Sequence, residues 1–385
     1  MIARLDEVFN LQMGKTPSRN NTDYWINGQY DWISIADLGG YQKYVEKTKE
    51  KISALAVQES GIKSVPANTV IMSFKLSLGK TAITKNPVYT NEAIMAFIPT
   101  GRYAVLPDYF YYLFSARDWT KGTNRAVMGT TLNKATLSAL SIEVPPLEKQ
   151  HHIAATLDKV SDLISKRRQQ LDKLDELVKA RFVEMFGDKD YPYKELISLI
   201  KDGAGLSYGI VQPGEDGSGN MGVLRPVDLV NGKIDTTSIK YIDRSLGEGF
   251  KKTELNGNEL LISVRGTTGI TALTDDRFVG MNVTRGIAVI RYDNEKINPV
   301  YLNTYLKTDE SQRYIREHTR GATLQQINLS DLRVQQILVP PRDEQEQFST
   351  FVEQTEKTKA TISHSLEKLE TLKKALMQEY FGTQI

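Results

Sequence analysis

The sequence predicts an α+β chain in which two duplicated α/β domains are separated by an antiparallel two-helix coiled coil. Three observations predict it. A stretch of about 190 residues recurs along the chain, far longer than a solenoid unit. Each copy ends in about 40 residues free of proline and of internal glycine, with heptad spacing. The segments before these stretches alternate short apolar runs, helical patterns and turn clusters.

The repeat is clearest towards its end. Gly129-Thr130-Thr131-Leu132 answers to Gly321-Ala322-Thr323-Leu324, Leu137 to Leu329, Val144-Pro145-Pro146 to Val339-Pro340-Pro341, and Gln150 to Gln345. Leu171, Leu174, Leu177, Ala180, Phe186 and Gly187 answer to Leu366, Leu369, Leu372, Ala375, Phe381 and Gly382 at a constant offset of 195. Earlier segments match more faintly at an offset near 191. Ile35-Ala36-Asp37-Leu38 lies against Pro226-Val227-Asp228-Leu229, Ser73-Phe74-Lys75 against Ser263-Val264-Arg265, Gly79 against Gly269, and Asn91 against Asn282 after a one-residue shift. The linear division is 1–143 and 188–335 for the domains, with 144–187 and 336–385 for the helices.

The two Pro-Pro pairs mark where each helix begins, because a helix interior rejects proline. Along the first, Leu157, Val160, Ile164, Leu171, Leu174 and Val178 step by threes and fours, with Arg167 interrupting. Phe348, Val352, Thr355, Ile362, Leu366, Leu369 and Leu376 do nearly the same along the second. At 1.5 Å per residue each helix spans roughly 60 Å. Two helices with the same seam can bury it against each other, and an antiparallel pairing relates the halves by an approximate two-fold axis.

Within the domains, residues 65–74, 94–98, 260–264 and 286–290 read as short buried strands, and residues 46–60, 107–117 and 299–317 as helices. Residues 14–21 and 212–222 are turn-rich loops.

Charge and composition restrict the function. The chain has a net charge of +2 and no cysteine, which argues against disulfides and thiolate metal sites. Residues 1–143 carry 16 Lys and Arg against 12 Asp and Glu, whereas 188–335 carry 19 against 20. Without a membrane-length apolar run or a signal-like start, the expected location is the cytoplasm.

Strings suggestive of catalysis fail on mechanism. Gly79-Lys80-Thr81 and Gly14-Lys15-Thr16 resemble the end of a phosphate-binding loop, but Phe74 and Phe9 occupy the position of the required earlier glycine. Asn86-Pro87-Val88-Tyr89 departs from the Asn-Pro-Pro-Tyr of amino-methyltransferases at Val88, and no Gly-rich cofactor loop precedes it. No lysine has an acid two residues before it, as a common metal-dependent nuclease needs. His151, His152, His318 and His364 show no metal-ligand spacing. The expectation is a non-catalytic chain without cofactor or metal.

The repeated Gly-x-Thr, the apolar stretch to Pro-Pro, the nearby Gln and the heptad helix ending in Phe-Gly together resemble the specificity subunits of type I restriction-modification systems. The resemblance covers essentially the whole chain. It implies that each domain is a target-recognition domain reading one half of an asymmetric bipartite site in double-stranded DNA. The helices would set the gap and dock two methyltransferase subunits; whether restriction subunits join is not fixed by the sequence. Alternatives are a self-sufficient DNA methyltransferase or nuclease, and a coiled-coil scaffold that does not bind DNA.

Loop residues able to hold phosphates or read base edges are the candidate DNA contacts. In the first domain these are Lys15, Thr16, Ser18, Arg19, Lys75, Lys80 and Arg125; in the second, Tyr208, Arg225, Arg265, Thr267, Thr268, Arg285 and Arg320.

Overall fold

The computed structural model describes the chain except Leu76, residues 120–124, Val127, Met128, Thr131, Asp188, Pro213, Glu215, Asp216, Ser218, Asn231 and residues 383–385; of residues 125, 126, 129 and 130 it describes the backbone alone. The chain packs as two compact units, Met1–Arg168 with His364–Ile385, and Gln169–Ser363. Each unit therefore contains the beginning of one long helix and the end of the other.

The two main sheets of each unit repeat each other in strand order. The first has a four-stranded antiparallel sheet in the order Phe9–Met13, Ile94–Pro99, Val70–Ser73, Thr81–Ile83. The second has Ser207–Tyr208, Ile287–Ile290, Leu260–Ser263, Thr271–Leu273 in the same order. Beside each lies a three-stranded sheet whose central strand, Tyr30–Ile33 or Met221–Leu224, pairs in parallel with Tyr89–Thr90 or Asn282–Val283. The central strands of the four-stranded sheets are apolar without alternation because both faces are covered. Val70 and Met72 join a core with Phe9, Phe97 and Phe110, while Ile71 and Ala96 face Ile33, Val65 and Val88 on the other side. In the second unit Leu260 and Ile262 pack with Tyr301, and Leu261 and Val289 with Leu224 and Phe278.

The long helices run Leu147–Phe186 and Arg342–Phe381, 40 residues each. In the first unit Ile153 and Leu157 share a core with Phe381, and Arg168 pairs with Glu370 at 2.7 Å. In the second unit Phe182 packs on Phe348, and Asp175 pairs with Lys359 at 2.6 Å. Both sets of contacts rise along one helix as they fall along the other, so the pairing is antiparallel in each unit. Leu157, Val160, Ile164, Phe348, Val352 and Thr355 are buried; Leu171, Leu174, Val178, Ile362, Leu366, Leu369 and Leu376 are half-buried. The seam is thus core-like where a helix crosses its domain and mixed in between, where Lys359 takes a seam position and bonds Asp175 and Glu356.

Two repeated letters of the sequence acquire physical reasons. Gln150 and Gln345 are buried, and each amide ties its helix start to its domain. Gln150 accepts from the Leu106 amide at 2.8 Å and donates to the carbonyls of Ala104 and Pro145; Gln345 accepts from the Asn298 amide at 2.8 Å and donates to that of Pro340. The phenylalanine of each Phe-Gly ending plugs the opposite repeat. Phe186 packs edge-on against Tyr301 at 5.1 Å, and Phe381 packs tilted against Tyr109 at 5.6 Å.

Some expectations need correction. Residues 46–60 are not one helix: Glu50–Ile52 pairs with Tyr30–Trp32, and the helix is Ala54–Ser60, capped by Ser53. Residues 299–317 form two helices, Pro299–Tyr305 and Asp309–His318, because the Thr308 side chain caps a new start. The repeat register also differs from letter matching. Leu132 and Ile327 donate to Phe74 and Val264, and Leu137 and Leu332 bond the cap residues Asn133 and Asn328, so the offset of 195 already holds there. Asn91, donating to Ile33, corresponds to Thr284, donating to Leu224, rather than to Asn282.

Candidate nucleic-acid interface

Strand register gathers the candidate loops. Met13 lies opposite Met95 and Ser73 opposite Ile94. The chain after Met13, the turn between Ser73 and Thr81, and the residues before Ile94 therefore leave the sheet at one end. Tyr208 lies opposite Ala288 and Ser263 opposite Ile287, so the second unit gathers the matching loops at the matching end.

Both ends are built by the same devices. Gly79 and Gly269 take φ of 81° and 84°, the left-handed conformation that glycine adopts without a Cβ penalty. The hydroxyls of Ser73 and Ser263 close these turns by accepting from the amides of Lys80 at 3.0 Å and Ile270 at 2.9 Å. Gly14 and Gly209 let two loops cross: a Cβ would lie 2.2 Å from the Thr90 carbonyl oxygen in one unit and 1.9 Å from that of Val283 in the other.

In the first unit, Lys15 bonds the Ser60 carbonyl, and Thr16 donates to Glu92 while accepting from Asn91 at 2.9 Å. Ser18 is exposed, and its carbonyl accepts from the Trp25 indole at 3.1 Å. Arg19 stacks 3.7 Å over Trp25 and bonds Glu50, with one arm at 2.9 Å, so its charge is answered within the loop. Lys75 and Lys80 project from the turn, and among the described residues neither has an ion pair. The Arg125 backbone forms a two-residue strand with Gly129–Thr130; its side chain lies outside the described residues.

In the second unit, Tyr208 is partly exposed at the end of its strand. Arg225 turns inward: its guanidinium meets the buried Asp228 at 2.9 Å and 3.1 Å, and Asp228 caps the turn as Asp37 does in the first unit. Arg265 and Arg285 have no ion pair among the described residues. They are neighbours, because the Val264 amide donates to the Gly286 carbonyl at 2.8 Å. The other side of this turn is flanked by the 320–326 loop, through bridges from Gln326 to Arg265 and Arg320, and Arg320 approaches Asp331 at 3.5 Å. Thr267 is exposed, and the hydroxyls of Thr268 and Thr319 are 3.1 Å apart. Arginines side by side without acids leave a surface that favours anions or hydrogen-bond acceptors.

The sequence reading passed over Glu92. The signal was present in the repeat, since an offset of 193 sets Glu92 against Arg285, but it needed the correct register.

No described group of His, Asp and Glu could hold a metal ion, and no described helix is long and apolar enough to cross a membrane. Residues 1–175 and 216–371 match the family described as "Type I restriction modification DNA specificity domain". The chain belongs to this type I restriction-modification DNA specificity family. Its relatives include the type I restriction enzyme MjaIX specificity subunit of Methanocaldococcus jannaschii, 25% identical over 376 residues that cover 91% of this chain and 85% of that protein. A solved chain from work on "complex assembly and conformational transition of the type I R-M system" shares the fold with a TM-score of 0.62, at 17% identity over 99% and 97% of the two chains. The S subunit from M. genitalium superposes with a TM-score of 0.57, at 13% identity over 98% and 95%. The two specificity-domain matches fall one on each repeat, so the family's DNA-specificity unit occurs twice here.

Proposed function

We propose that this chain is the non-catalytic specificity subunit of a type I restriction-modification complex, in which each repeat reads one half of a bipartite DNA site. The observation that carries the proposal is the pair of matching sheet ends, each built on the same turns yet decorated with different polar and cationic side chains. Similar scaffolds with different tips suit two different short sequences. Lys75 and Lys80 in one unit, and Arg265, Thr267, Arg285 and Arg320 in the other, are the proposed contacts to phosphates and base edges. Lys15, Thr16, Ser18, Arg19, Thr268 and Arg225 shape the surface, with Arg225 acting through its ion pair with Asp228, which caps the turn. Arg125 and Tyr208 complete the contact set.

The partners are double-stranded DNA, two methyltransferase subunits docked on the helices, and restriction subunits where the system has them. Such an assembly acts on chromosomal or invading DNA in the cytoplasm. The domains extend over 1–143 and 188–335, and the helices over 144–187 and 336–385. Exchanging residues 1–143 for those of a relative and sequencing the methylated motif tests the proposal. One half-site is expected to change while the other stays; a change in both, or in neither, defeats independent reading.

A further inference from the structure

The two sheet ends coincide hydrogen bond by hydrogen bond around one residue. Asn91 donates to Ile33 at 3.0 Å and Thr284 to Leu224 at 2.9 Å; Ile94 donates to Asn91 and Ile287 to Thr284, both at 3.0 Å; Phe74 donates to Ala93 at 3.0 Å and Val264 to Gly286 at 2.8 Å. Glu92 and Arg285 therefore occupy the same position in the two repeats. Both are exposed.

Their chemistry is opposite. A carboxylate only accepts hydrogen bonds and a guanidinium only donates them. Glu92 is held by the Thr16 hydroxyl, which is itself held by the Asn91 amide group at 2.9 Å. At the place of Thr16 the second repeat has Val211, since the amides of Lys15 and Ile210 both donate to the matching strand, at Thr90 and Val283. Val211 offers no hydroxyl, and Arg285 remains without an ion pair among the described residues, with Arg265 beside it.

We propose that this position sets opposite base preferences in the two half-sites: Arg285 donates to the O6 and N7 edge of a guanine, and Glu92 accepts from the exocyclic amino group of a cytosine. The inference rests on the DNA-reading function proposed above and assigns its base chemistry. The carboxylate decides between base edges and phosphates. A carboxylate is repelled by a phosphate, so a glutamate at a DNA-facing position suits a group able to donate, and in duplex DNA the bases provide one. Cytosine is favoured over adenine because the adenine N7 acceptor lies next to its amino group, where it repels a carboxylate. At the arginine, guanine presents two acceptors that match the guanidinium fork.

The test uses the complex of this chain with its methyltransferase partner and duplexes varied one base at a time. Arg285→Lys keeps the charge and removes the fork. It is expected to lose about tenfold to hundredfold discrimination for one guanine in the second half-site, with the first half-site and the salt dependence of binding unchanged. Glu92→Gln is expected to relax one cytosine in the first half-site alone. The proposal is overturned if Arg285→Lys keeps every base preference while Arg285→Gln weakens binding to all sequences and flattens the salt dependence, the behaviour of a phosphate contact. Relaxation in the opposite half-site also overturns it. Absence of any sequence preference in the unaltered complex would instead overturn the DNA-reading function itself. Both side chains are exposed, the bonds shared by the two positions run through the backbone, and Glu92→Gln keeps an acceptor for the Thr16 hydroxyl; circular dichroism checks that the variants fold.

Discussion

The helix starts and the sheet ends of this chain differ in how closely the two repeats agree. At the helix starts the repeats share their bonds: Gln150 and Gln345 are both buried, each accepts from a backbone amide of its domain and each donates to the carbonyl of the first proline of its Pro-Pro pair, with Gln150 donating to Ala104 as well. At the sheet ends the backbone agrees and the side chains do not, with Glu92 where the other copy has Arg285 and Thr16 where it has Val211. A duplicated protein can hold its packing and vary its tips because buried groups pay for any unmet hydrogen bond, whereas exposed side chains answer only to what they touch.

Matched substitutions sharpen this contrast. The largest effect is expected in the core. Phe348→Ala removes a ring packed on Phe182 and Phe186 at 5.5 and 5.6 Å, and should destabilise its unit by about 3–5 kcal/mol. Its counterpart Ile153→Ala should cost about 2–5 kcal/mol, both read from denaturant unfolding. A cost below 1 kcal/mol in either would show that the two joints are not equivalent. Next comes the shared amide. Gln150→Leu and Gln345→Leu each strand buried backbone partners and should each cost about 1–3 kcal/mol, with no change in base preference. A large effect at one glutamine only would break the equivalence.

The smallest effect concerns a feature that differs between units. In the first, Lys43 pairs with Asp108 at 2.6 Å and also with Asp158 on the long helix; in the second, Lys233 meets Glu356 at 3.1 Å. Burial pushes the Asp108 carboxyl up, but hydrogen bonds from Lys43 and Tyr44 outweigh it and hold the group below its usual range. A carboxyl depressed on folding contributes stability above its unfolded value, near pH 4, and loses it as pH falls further. Lys43→Ala should therefore lower stability by about 1 kcal/mol at pH 7, and the gap from the unaltered protein should narrow below pH 4. A gap independent of pH would assign the effect to packing of the lysine stem.

Much of this architecture is legible in the sequence because it is local or repeated. Val70–Ser73 and Leu260–Ser263 stand out as continuous apolar runs, and the helices by their heptads and Pro-Pro starts. What escapes is long-range. Nothing local says that Phe186 completes a core with Tyr301, or that Lys359 bonds Asp175, since both depend on residues brought together by folding. The register near Asn91 escapes because the loops between strands differ in length, and letters that agree by chance pull the alignment off by two. Glu92 escapes with it: an exposed acid in a loop has no signature until its counterpart is known to be an arginine.

The crossing of the two long helices has a consequence for biosynthesis. Tyr109 emerges from the ribosome early, yet the ring that packs on it, Phe381, follows the whole of the second domain in the chain. The first domain must wait through the synthesis of the entire second repeat with an apolar face uncovered.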